Sequence, residues 1–180
     1  MAAKGPERIE TARLLLRRPA ADDAEAVFSR YSADAEVTRY VGFPRHTAID
    51  DTRAFLRFSD DQWQRWPAGP YVACSRADGA LLGSTGLMFE TPYRAATGYV
   101  FARDAWGMGY AGEALAAMVE VARATGVLRL YAIVHAEHRA SARVLERAGF
   151  DFEGTLRRYA DFPNLAPGVP QDVGCYARIL

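Results

Sequence analysis

The chain has 180 residues, is 50% hydrophobic, and sets 22 Lys and Arg against 22 Asp and Glu for a formal charge of zero. That length and composition predict one globular domain over residues 1–180, with a core that needs no metal or disulfide staples. The charge balance excludes a nonspecific nucleic-acid binder, which carries a basic excess. No apolar run approaches membrane-span length, and the first residues lack a signal-peptide core, so a cytoplasmic protein without nucleic-acid or membrane partners is expected. Cys74 and Cys175, each in an apolar strand-like run, read as buried thiols of a reducing compartment. No cluster of His and Cys has metal-ligand spacing, so no metal is expected.

Residues 1–7 are polar and small and are expected to be flexible. Ile9 to Arg18 reads as one strand, stopped by Pro19. Asp22 is positioned to cap a helix running to about Tyr31, with Ala24, Val27, Phe28 and Tyr31 on one side. Ala33 to Arg45 reads as a short helix and a loop. Asp50 or Asp51 opens a second helix that runs to Trp66 and is ended by Pro67; Phe55, Leu56, Phe58, Trp63 and Trp66 are too many apolar groups for one narrow stripe. Tyr71–Ser75 and Leu81–Phe89 form a hairpin around Ala77-Asp78-Gly79, and Glu90 to Arg94 reads as a polar loop.

Thr97 to Ala102 has the β-branched, aromatic and small residues of a buried strand. After Gly109, Ala111, Leu115, Met118, Val119 and Ala122 recur on one helical face up to Gly126. Leu130–Val134 is a short buried strand, so strand, helix and strand make a parallel crossover. A helix with Ser141, Val144, Leu145 and Ala148 on one face ends at Gly149, and Asp172–Ala177 is the final strand. Asn164 to Pro170 is a loop without a clear motif.

The Gly107-Met108-Gly109-Tyr110-Ala111-Gly112 turn feeds a helix N-terminus. Such a turn collects unpaired N–H groups and the positive end of the helix dipole, a place for phosphate or pyrophosphate. The plain alternative is a tight turn whose glycines serve only the backbone. Gly107-x-Gly109-x-x-Gly112 also matches the dinucleotide fingerprint of an NAD(P)-dependent oxidoreductase. That reading needs a strand running into the first glycine and further βαβ units, whereas Arg103 to Trp106 intervene and no such units follow.

Trp106-Gly107-Met108-Gly109-Tyr110-Ala111 followed by Glu113-Ala114-Leu115 resembles the acyl-CoA loop of GNAT N-acyltransferases of the Rim type. Glu10-Thr11-x-Arg13-Leu14-x-Leu16-Arg17, Gly98-Tyr99, and Ser141, Leu145, Glu146, Gly149 and Phe150 resemble further family motifs. The family places asparagine where His138 stands, and many relatives carry a glutamate where this chain reads Ala95-Ala96-Thr97. The resemblance implies a mixed α+β fold, with a central, mostly antiparallel sheet of roughly six to seven strands and about four flanking helices.

It implies an acetyl-CoA-dependent enzyme acting on an amine acceptor, a small molecule or a protein N-terminus, with a homodimer as one allowed assembly. Phe101, Ala102, Arg103, Trp106, Gly107, Met108, Gly109, Tyr110, Ala111, Gly112, His138 and Ser141 are the expected cofactor contacts. An N–H near Phe101 is the expected oxyanion donor. Glu90 is the candidate base, with His135, His138 or a water chain as alternatives. The Ser141 hydroxyl is the candidate donor to the departing thiolate. Tyr159 and Asp161 are further candidates for the cleft, and the early aromatic helix is the candidate acceptor wall. The missing glutamate keeps open a non-catalytic acyl-CoA-binding domain.

Overall fold

The N-terminal segment doubles back on itself. The computed structural model describes residues 3–180, and in it the expected single first strand is two, β1 (Arg8–Glu10) and β2 (Leu14–Arg17), paired antiparallel. Thr11 makes the turn: its N–H donates to the Leu14 carbonyl at 2.9 Å, and its hydroxyl accepts the Leu14 N–H at 2.9 Å. This hairpin raises the strand number above the expected six to seven. Residues 3–7 precede it; Gly5 is buried, its N–H on the Pro67 carbonyl, and Met1 and Ala2 lie outside the described residues.

A short helical segment follows, α1 (Ala24–Val27), entered through a 3-10 turn and left through a π-type turn to Ser32. Its N-terminus is fastened by Asp23 instead of Asp22: the Asp23 carboxylate accepts the Ala20 N–H at 2.7 Å and pairs with Arg17. Then come α2 (Ile49–Arg65), β3 (Pro70–Ser75), β4 (Leu81–Thr91), β5 (Arg94–Phe101), α3 (Tyr110–Ala124), β6 (Arg129–His135), α4 (Arg139–Arg147), β7 (Asp151–Ala160) and β8 (Gln171–Ile179). The expected polar loop from Glu90 to Arg94 is shorter than that, because both strands extend into it and Pro92-Tyr93 make the turn.

The eight strands form one sheet in the order β1-β2-β3-β4-β5-β6-β8-β7. All pairings are antiparallel except β5 with β6. Strand side chains alternate between faces. Tyr71 and Ala73 therefore join Leu87, Phe89, Leu130 and Val134 under Leu115 and Met118 of α3, while Val72 and Cys74 face Val27 and Tyr31 on the other side. Truncating a fully buried residue such as Met118 to Ala would cost about 2–5 kcal/mol. Cys74 is buried as expected; Cys175 is only half-buried, beside Glu153.

One local feature decides where a ligand can go. β5 pairs with β4 as far as Phe101, but with β6 only from Arg94↔Arg129 to Ala96↔Tyr131. Beyond Ala96 the two parallel strands part, and β6 stays with β8 instead. The β6-facing edge of β5 from Thr97 to Phe101 is therefore left without a strand partner.

Candidate active site

Directly past the parted strands, the chain turns through Arg103–Ala105 and the glycine loop into α3. The Trp106 indole N–H reaches back to the Phe101 carbonyl at 2.8 Å, which holds the loop against the strand end. Gly107 and Gly109 have φ of 73° and 81°, a region that side chains with a Cβ enter at a cost. The N–H groups of residues 107–112 find no partner among the described residues. Together with the α3 dipole, about half an elementary charge, they form an anion cradle.

The cradle is braced from a hundred residues away. Arg13, in the β1–β2 turn, donates from its guanidinium to the Met108 carbonyl at 2.7 Å and to Glu113 at 2.8 Å, and its N–H donates to Glu113 at 2.7 Å. Thr11 adds its hydroxyl to the same carboxylate, and the Arg13 guanidinium lies 4.6 Å from the Tyr110 ring centroid. Burial alone would raise the Glu113 pKa, but the bonds from Thr11 and Arg13 outweigh it and hold the carboxyl below its ordinary value. The family motifs around Arg13 and Glu113 are thus two halves of one contact.

At the other end of the cleft, Tyr99 reaches from β5 to the first turn of α4. Its hydroxyl lies 2.9 Å from the Ser141 hydroxyl and 3.0 Å from the Ser141 carbonyl. Burial pushes the Tyr99 pKa up to about 12, so the phenol stays protonated and can donate. His138, just before α4, stacks on Tyr40 with centroids 4.7 Å apart. Neither of its ring nitrogens is bonded to another described residue, and burial followed by the charge of His135 lowers its pKa. His135 differs: its Nδ1 accepts the Glu137 N–H at 3.2 Å, and Phe162 abuts its ring edge-on.

A third wall comes from the segment between α1 and α2. Asn164, in the loop that carried no motif, holds it in place. Its side chain accepts the Arg45 N–H at 2.7 Å and donates to the Thr38 and Phe43 carbonyls at 2.8 and 2.9 Å. Tyr40, Phe43 and the α2 residues Phe55 and Phe58 line the space so framed.

Loop, strands, α4 and this wall enclose a continuous cleft of about 1430 Å³. Pockets for one drug-sized ligand run to about 300–1,000 Å³, so this cleft has room for two reactants. Phe101, Trp106, Gly107, Gly109, Tyr110, Ala111, Gly112, His138 and Ser141 all line it, as does His135. Other expected residues are elsewhere, for identifiable reasons. Glu90 sits at a bulge near the far end of β4, hydrogen-bonded by Tyr131 and paired with Arg94 at 2.7 Å, in a separate pocket of about 580 Å³. Arg103 is turned to Asp34 and Glu36, at 2.8 and 3.0 Å, instead of into the cleft. Ala102 is buried in the second core cluster, and Met108 is exposed, offering the loop only its backbone. Tyr159 lines the pocket of Glu90, and Asp161 lines neither cavity.

A parted parallel strand pair above an unpaired N–H loop, with room for a second reactant opposite, defines an acyl-CoA-dependent transferase. The chain matches the family model described as acetyltransferase (GNAT) domain over residues 13–151. It is 32% identical to the uncharacterized N-acetyltransferase YoaA of Bacillus subtilis (strain 168), across 94% of each chain. An acetyltransferase (GNAT family) from Bacillus anthracis superposes with a TM-score of 0.82 at 25% identity, covering 96% of this chain and 98% of that one. RimL, a ribosomal L7/L12 alpha-N-protein acetyltransferase solved with coenzyme A, has a TM-score of 0.83 at 23% identity, covering 97% and 98%. The chain belongs to the GNAT family and is an acetyltransferase with acetyl-CoA as its donor. Among the described residues no helix is long and apolar enough to cross a membrane.

Proposed function

We propose that the protein transfers the acetyl group of acetyl-CoA to a primary amine by direct attack, the acceptor being a small molecule or a protein N-terminus. The observation that carries this reading is the parting of β5 and β6 above the cradle, in a cleft of about 1430 Å³. The N–H groups of residues 107–112 take the pyrophosphate, and the open edge of β5 takes the pantetheine amides as a strand would. An N–H near Phe101 donates to the oxygen of the carbonyl under attack.

One side chain takes a proton and a second steadies the leaving sulfur. His138 is neutral near pH 7 and has free ring nitrogens, so it accepts the proton that the attacking nitrogen loses. The Ser141 hydroxyl, with the Tyr99 phenol behind it, gives a hydrogen bond to the sulfur as the C–S bond breaks and the thiolate leaves as the anion. Glu90 is tied to Arg94 and Tyr131 in its own pocket, which favours His138 over it as base.

The test is release of CoA from acetyl-CoA over a panel of amines, with thermal shifts measured in parallel. CoA at millimolar concentration should raise the melting temperature and NAD should not, since a ligand of the folded state stabilises it by mass action. Absence of any CoA response would defeat the proposal. CoA binding without turnover of any amine would place the acceptor outside the amines.

A further inference from the structure

Resting on the transferase reading just given, we infer that the acceptor is a small primary amine carried on an apolar, aromatic body with no more than one positive charge. The acceptor side of the cleft is walled by Tyr40, Phe43, Phe55, Phe58, Met88 and Ile133. Three of these are large apolar side chains left substantially in solvent: Phe58 at 41%, Met88 at 40% and Ile133 at 38% exposure. Apolar groups gathered along the lip of one cleft mark a binding surface more than a folding need.

The charges along the cleft point the same way. Among the described residues its only carboxylate is Asp51, whose oxygen already accepts the N–H groups of Thr47 and Ala48 and the Thr47 hydroxyl. Against it stand Arg45, Arg143 and Arg147, none with an ion-pair partner among the described residues. Glu90 and Glu153 line the pocket that shares Ile133 with the cleft, and each is paired with an arginine, Arg94 and Arg129. A polyamine or aminoglycoside brings several ammonium groups into such a site and finds a single carboxylate, Asp51, with one oxygen already taken, against three arginines. A single amine on an aromatic body loses little: burial favours its neutral form, which is the form that attacks.

The wall is also fastened, with Asn164 bonded to three backbone groups of residues 38–45 and Tyr40 stacked on His138. A preformed apolar wall suits a ring of fixed shape better than a long flexible chain.

The experiment measures CoA release by the full chain with saturating acetyl-CoA and four probes: 2-phenylethylamine, spermidine, kanamycin and a peptide with an N-terminal alanine. The expected result is a kcat/KM for 2-phenylethylamine at least roughly 100-fold above that of each other probe. Phe58→Asp, at an exposed position of α2, should narrow the gap to spermidine about tenfold or more while CoA affinity stays unchanged. Faster turnover of spermidine, kanamycin or the peptide overturns this inference and leaves the transferase reading intact. Turnover of none of the four, with acetyl-CoA still bound, overturns this inference; the transferase reading falls only if no amine of the wider panel releases CoA.

Discussion

The donor half and the acceptor half of the cleft are built in different ways. The donor half is nearly continuous in sequence: β5, the glycine loop and the first turn of α3 follow one another from Thr97 to Gly112. Its polar groups are backbone N–H groups, present whatever the side chains. The acceptor half is assembled from the 38–47 segment, α2, and Asn164 some 119 to 126 residues later. Its character lies in side chains, which leaves it free to change.

The largest effect is expected at the border of the two halves. His138→Asn should lower kcat by about two to four orders of magnitude, as loss of a general base does, and leave the dissociation constant of CoA unchanged. In the native protein the acidic limb of kcat should lie below the ordinary histidine value of about 6.5, because burial and the His135 charge lower the His138 pKa. The same sign governs stability. A folded pKa below the unfolded one means the unfolded chain binds more protons, so His138 destabilises progressively as pH falls below about 6.5. The variant should lose the His138 share of both dependences, while burial of His46, which also lowers its pKa, leaves a residual loss of stability in acid.

Gly109→Val should come next and should strike the donor half alone. A φ of 81° costs a β-branched residue about 1–3 kcal/mol, and the added Cβ lies 3.4 Å from the Arg13 guanidinium. CoA affinity should fall about 10- to 100-fold by calorimetry as the loop leaves its cradle shape. Unchanged affinity with a lowered melting temperature would confine the glycine to a turn.

Two distant braces sharpen the comparison further. Arg13→Met removes the guanidinium bonds to Met108 and Glu113 and should weaken CoA about tenfold with the amine KM unmoved. Asn164→Ala removes three bonds from the acceptor wall and should raise the amine KM about five- to tenfold with CoA affinity unmoved. If either variant moves both constants equally, the halves are not independent.

The same contrast explains what the sequence could reveal. The loop, the crossover and the faces of α3 and α4 rest on local periodicity and glycine placement, and they are found where expected, whereas the short helix expected within Ala33–Arg45 is a series of turns. The Asn164 staple rests on backbone carbonyls of a remote segment, so no spacing announces it. The Thr11 turn was hidden by an unbroken strand-like composition from Ile9 to Arg18, and the eighth strand with it. Ser141 carried a motif, but its Tyr99 partner could be seen only once β5 and α4 were side by side. Arg103 and Glu90 had the right charge in the right stretch and nevertheless found partners elsewhere.

Glu90→Gln is the smallest expected effect and the most direct check on that last point. In sequence, Glu90 is a carboxylate at the end of the strand before the open edge, with the chemistry of a base. In the fold, the bulge between Phe89 and Thr91 leaves it at the closed end of β4, where Arg94 and the Tyr131 hydroxyl occupy its oxygens. Both Glu90 and Arg94 are substantially exposed, so their ion pair contributes only about 0–1 kcal/mol. The amide of the variant retains an acceptor for Tyr131 and loses only the charge. Turnover should therefore stay within about twofold of the native enzyme and the melting temperature within about 2–4 °C. A fall of two orders of magnitude in kcat, with CoA affinity preserved, would mean that the acceptor amine reaches into the Glu90 pocket past Ile133, and would move the base from the donor–acceptor border to the far end of the sheet.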